Sequence, residues 1–136
     1  MKIRTGFVAN SSSSSFLVAF PYLFYPTTDA VQKALFDGQD GALRTEWRGE
    51  KLTYRAAAEI IRSMLLMQES NDLAMIKRNE NLDPKSRSAV AAWLKAHKDN
   101  SRLYVLKFST EMETDQIILA SGEEFEKIDH ISLGYL

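Results

Sequence analysis

A chain of 136 residues, 45% hydrophobic and 26% charged, has the make-up of a globular protein, and residues 1–136 read as a single domain. It contains no cysteine, which removes disulfides, thiol nucleophiles and thiolate zinc sites from consideration. The net charge of −1 supplies no overall field to draw the protein to nucleic acid or to an acidic membrane, although residues 51–100 carry +3 and residues 101–136 carry −4.

Ile3, Thr5 and Phe7 alternate with Lys2, Arg4 and Gly6, the period of a strand with one face on a core. Asn10 and Ser11 to Ser15 follow, and then Phe16-Leu17-Val18-Ala19-Phe20, a continuous apolar run of strand formers. Such a run reads as a strand buried on both faces. The two strands are expected to form a hairpin joined by the serine segment, with Pro21 ending or bending the second. The apolar stretch from Phe16 to Tyr25 has ten residues and is interrupted by Pro21, whereas a membrane-spanning helix needs about 20. Lys2 and Arg4 precede no small-x-small cleavage site, so no signal peptide is read and a cytoplasmic location is expected.

Thr27 or Thr28 caps a short helix reaching about Asp37, with Ala30, Val31, Ala34 and Leu35 on one face. Gly38 and Gly41 mark a loop, and Leu43 to Trp47 reads as a short strand. Thr53 caps the strongest helix, in which Tyr54, Ala57, Ile60, Ile61, Met64 and Leu65 recur at helical spacing, with Leu66 and Met67 widening the apolar stripe toward the core. Asn71-Asp72 breaks it, with a further turn around Leu73 and Ile76. Asp83-Pro84 starts another helix, because Asp accepts free first-turn amides and Pro has none to leave unsatisfied. Val90, Trp93, Leu94 and His97 form its apolar face.

Leu103 to Phe108 and Ile117 to Ala120 are strand-like and flank Thr110 to Thr114, which predicts a hairpin with an acidic tip. Ser121-Gly122-Glu123-Glu124 resembles a capping box, and Ile131, Leu133 and Tyr135 alternate as a final strand. The fold class is therefore α+β: a single antiparallel or mixed sheet with strands at both chain ends, packed against two or three helices.

No catalytic constellation is evident. His97 and His130 have neither a second histidine nor a carboxylate at ligand spacing on the same predicted face, so His97 reads as a helix-end residue and His130 as a strand-edge residue beside Asp129. No metal and no cofactor are expected. Glu111, Glu113 and Asp115 read as a charged turn that protects the hairpin from edge pairing. Arg55 and Arg62 are seven residues apart and share a helix face, with Glu59 between them. Nucleic acid is not an expected partner, since the chain is not basic overall and carries no nucleic-acid-binding module.

The serine run is the unusual feature. Asn10, Ser11, Ser12, Ser13, Ser14 and Ser15, set between two strands, offer hydroxyls and lightly covered amides that could receive a phosphate, without the glycines and lysine of a P-loop. The alternatives are a structural loop or strand, or a processing or recognition signal. Residues 1–16, MKIRTGFVANSSSSSF, resemble the MKIR-x-GFV-x-NSSSSSF opening of many small uncharacterised bacteriophage and prokaryotic proteins, with Ala9 where serine is usual. The resemblance covers those residues alone. It implies a phage or mobile-element origin and brings no catalytic residues with it.

Two functions follow as expectations. The first is a non-enzymatic phage-type accessory protein that binds a protein partner in the host cytoplasm or on the virion, and self-associates. Tyr22, Phe24, Tyr25 and Trp47 are its candidate interface anchors, as aromatic residues among loop-like neighbours. The second is a nucleotide- or phosphate-binding module using residues 10–15 with Arg55 and Arg62. An enzyme without a sequence motif comes third and requires a cleft with convergent polar groups.

Overall fold

The apolar run at Phe16–Phe20 becomes the middle strand of the sheet. In the computed structural model, which describes residues 13–21, 23–46, 48–67, 84–97, 99–109, 111–122 and 125–134, strand β1 (Ser13–Pro21) lies between β2 (Ser101–Ser109) and β3 (Asp129–Gly134). Both pairings are antiparallel. Successive side chains of a strand point to opposite faces, so a strand covered on both sides needs apolar residues at every position. Phe16, Val18 and Phe20 belong to one buried cluster and Leu17 to another, as that rule requires.

Three helices cover the first face. They are α1 (Thr28–Phe36), α2 (Tyr54–Leu66) and α4 (Glu113–Ser121), whose Val31, Leu35, Ala57, Ile61, Ile117 and Ile118 join Phe16, Val18, Phe20, Leu106 and Phe108. Helix α3 (Pro84–His97) covers the second, through Val90 and Leu94 against Leu17, Val105 and Leu133. The protein is thus an α+β fold with one open three-stranded antiparallel sheet and, among the described residues, four helices. Each large apolar side chain buried here contributes about 1.5–3 kcal/mol. The register slips between Ser15 and Phe16, where Leu133 stands between partners Ser132 and Gly134 as the extra residue of a bulge.

The caps read from the sequence are present. Thr27 accepts from the Ala30 amide at 3.1 Å, and Thr53 accepts from the Ala56 amide at 3.0 Å. Asp37 closes α1 in the left-handed region at φ 59°.

Three elements differ from expectation. The acidic hairpin after Phe108 is instead the start of α4: Glu113 and Asp115 sit in its first turn, where carboxylates suit the helix dipole. The Asp115 carboxylate accepts from the Ser109 amide at 2.7 Å, and the Ser109 hydroxyl accepts from the Glu111 amide at 3.1 Å, so the chain turns out of the sheet. Ser121 ends that helix, and Gly122 caps it at φ 65°, where glycine carries no Cβ penalty. Among the described residues the stretch from Leu43 forms no strand: a bridge joins Ala42 to Thr53, and the Leu43 amide donates to the Leu52 carbonyl at 2.8 Å. The expected strand at 3–7, the turn around Leu73 and Ile76, and the residues Asp83, Glu123, Glu124 and Tyr135 lie outside the described residues.

Candidate functional site

Ser13, Ser14 and Ser15 are strand residues, opposite Ser109, Phe108 and Lys107. Their backbone belongs to the β ladder, so residues 13–15 take the strand form among the alternatives for this run in place of a loop joining two strands. Ser14 and Ser15 are 1% and 0% exposed, and their hydroxyls have no hydrogen-bond partner among the described residues. Asn10, Ser11 and Ser12 lie outside the described residues.

Arg55 and Arg62 share a face of α2, but that face turns to α1. Arg55 pairs with Asp29 and donates to Gln32 Oε1 at 3.2 Å, while Arg62 Nε donates to the Pro26 carbonyl at 3.2 Å. The Asp29 hydrogen bond raises the Arg55 pKa above its ordinary value against a smaller opposing effect of desolvation, with the charges of Asp29 and Glu59 adding to the rise. Arg55 thus ties α2 to α1, and Arg62 ties it to the connection that precedes α1.

The β1–α1 connection separates the aromatic candidates. Phe24 is buried, with its ring stacked on Phe20 at 4.1 Å and edge-on to Tyr104, so it is a core residue and not an interface anchor. The chain alternates here, turning Leu23 and Tyr25 outward at 88% and 69% exposure. The segment is nonetheless pinned: the Phe24 amide donates to the Pro21 carbonyl at 2.8 Å, Arg102 to the Phe24 carbonyl at 3.3 Å, and the Thr27 amide to the Tyr25 carbonyl at 2.8 Å. Arg62, one turn before Leu66 on α2, is bonded to Pro26; Leu66 and Met67 are exposed and do not join the core stripe of that helix. Tyr22 and Trp47 lie outside the described residues.

A second site was not visible in the sequence. At the end of the sheet where β2 and β3 begin, His97 Nε2 lies 2.7 Å from Asp129 Oδ2, and His97 Nδ1 lies 3.4 Å from Ser101 Oγ. The Trp93 ring packs against the imidazole with centroids 4.5 Å apart. All three polar residues line a cleft of about 280 Å³ with Ala19, Phe20, Pro21, Ala34, Lys127 and Ile128. His97 and Ser101 are four apart across a helix end, a faint local signal, but Asp129 arrives only through its pairing with Ala19. The other histidine has a structural place: His130 Nδ1 is 3.1 Å from the Ile128 carbonyl, and its ring lies on Phe125.

Among the described residues no group of three or more His, Cys, Asp or Glu side chains is placed to hold a metal ion, and no helix is long and apolar enough to cross a membrane. No protein-family model, curated protein or solved structure matches this chain.

Proposed function

We propose that this chain acts by protein–protein binding, as a phage-type accessory protein, through a surface centred on Leu23 and Tyr25. The observation that carries the reading is the pairing of exposure with fixation. Two large side chains point into solvent from a segment whose backbone is held at Phe24, Pro26 and Thr27. A backbone already held in place loses little further freedom on binding, and Tyr is a frequent interface anchor because its large ring has few rotatable bonds to immobilise. Leu66 and Met67, exposed at the end of the helix that Arg62 ties to Pro26, are further apolar candidates for this surface, and Met adapts readily to a partner's contour. The occupant is a protein presenting an apolar pocket, in the host cell or on the virion; a second copy of the chain is the self-associating form of the same idea. The phosphate-ligand reading has less support, because Ser14 and Ser15 are buried and both arginines bond to the α1 segment.

A photo-crosslinking residue placed at Tyr25 tests this, with the same residue at exposed Lys95 on α3 as the control. In producing cells, position 25 is expected to give a discrete adduct, either one defined protein or a dimer, that position 95 does not give. Leu23→Asp should abolish it without changing the melting temperature. Identical cross-linking from both positions, with a strictly monomeric protein in sedimentation, would sink the proposal.

A further inference from the structure

We infer that Ser101, His97 and Asp129 form an acyl-transfer centre, with Ser101 as nucleophile toward small carboxylic esters. The activity is separate from docking through Leu23 and Tyr25, and either can fail without the other.

The inference starts from hydrogen-bonding rules. An ionised carboxylate only accepts, so the 2.7 Å contact with Asp129 Oδ2 requires a proton on His97 Nε2. In neutral imidazole the other nitrogen is then a bare lone pair. That nitrogen, Nδ1, faces Ser101 Oγ at 3.4 Å. Asp129 thereby sets the tautomer that makes His97 a base toward a hydroxyl, which is the division of labour in serine hydrolases. The ring nitrogens exchange their usual places, and general-base chemistry is available to either. Catalytic contacts are often long before substrate binds, so 3.4 Å is within range. Trp93, packed on the imidazole, restrains its rotation.

The surroundings suit an acyl group. Ala19, Phe20, Pro21 and Ile128 give the cleft apolar walls, and 280 Å³ accommodates a short aliphatic ester. Lys127, which also lines the cleft, is a cation that could offset the developing oxyanion. Its 3.8 Å contact with Asp37 joins two exposed groups and is readily exchanged.

As Ser101 Oγ bonds to the ester carbonyl carbon, its proton passes to His97 Nδ1. The carbon–oxygen bond to the alcohol breaks, and the departing alkoxide takes that proton. Water then attacks the acylated serine, giving its proton to the same nitrogen, and Ser101 leaves and is reprotonated. The net reaction is ester plus water to acid plus alcohol.

One contact supplies a test that a purely structural cluster would not pass. Ser101 Oγ also lies 3.0 Å from Asn100 Oδ1, and a hydroxyl has one proton to give. Asn100 therefore competes with His97 for it, and removing Asn100 should raise reactivity.

The test is fluorophosphonate labelling of the full chain, read by peptide mass spectrometry, together with turnover of p-nitrophenyl butyrate. The expected result is a covalent adduct on Ser101, turnover reduced about 10²-fold in both Ser101→Ala and His97→Gln, and faster labelling in Asn100→Ala. An unmodified Ser101 in the folded wild-type protein would overturn the inference, whatever becomes of the variants. So would Ser101→Ala turning over ester at the wild-type rate, since the imidazole would then be acting alone.

Discussion

Asp115 stands where two demands on a carboxyl group conflict. It is buried against the end of β2, which raises its pKa above the usual aspartate range, while the Ser109 amide that it accepts at 2.7 Å favours the charged form more weakly. The folded protein therefore holds this proton more tightly than the unfolded chain does. Its contribution to stability is full below the ordinary aspartate pKa and is lost as pH rises through the raised folded value. Asp115→Asn retains an acceptor for Ser109 and cannot ionise. Wild type should lose stability relative to Asp115→Asn as pH rises from 3 to 7 in urea titrations, and a pH-independent difference between them would refute this. Asp115→Ala, which strands the Ser109 amide, should cost about 1–3 kcal/mol. The carboxylates at 113 and 115 are ambiguous residue by residue: acidic groups suit a hairpin tip and a helix first turn equally well. The hydrogen bond to Ser109 decides between them, and no local pattern announces it.

The helices show what sequence carries well and what it does not. Thr27 and Thr53 were legible because a cap is a local device: a hydroxyl, a free amide three residues on, and an apolar stripe beyond. Thr53→Ala should destabilise the protein by about 1 kcal/mol in urea denaturation, and Thr53→Ser by less. A loss as large from Thr53→Ser would mean that the methyl group's packing, not the cap, supplies the stability. Helix α4 is not legible in the sequence because Ile117-Ile118-Leu119 is a short apolar run, and such runs fit a buried strand as readily as a buried helix. Phe24 was misplaced for a related reason. Flanking loop residues argue exposure, but the turn at Pro21 folds the ring back onto Phe20.

At the scale of the whole molecule, one strand organises everything else. The both-faces burial of β1 was legible from five consecutive apolar residues, whereas the convergence of His97, Ser101 and Asp129 was not, because it depends on which strands flank β1. Phe16→Ala, which empties the core beneath α1, α2 and α4, should cost about 3–5 kcal/mol. Leu17→Ala acts on the other side and should cost about 2–5 kcal/mol. It should also loosen α3, seen as faster amide exchange there than in α2 after both are scaled to global stability. Equal acceleration in the two helices would show that the faces do not open separately.

The central place of β1 bears on how the protein is made. Its neighbours start at Ser101 and Asp129, so a nascent chain emerging from the ribosome carries Phe16 to Phe20 long before either flanking strand exists. Until then the most apolar segment of the protein has both of its edges open, in the state that promotes off-pathway pairing between chains. Ribosome-bound fragments that stop before residue 101 should therefore recruit chaperones or aggregate, and release of the last strand should end that dependence.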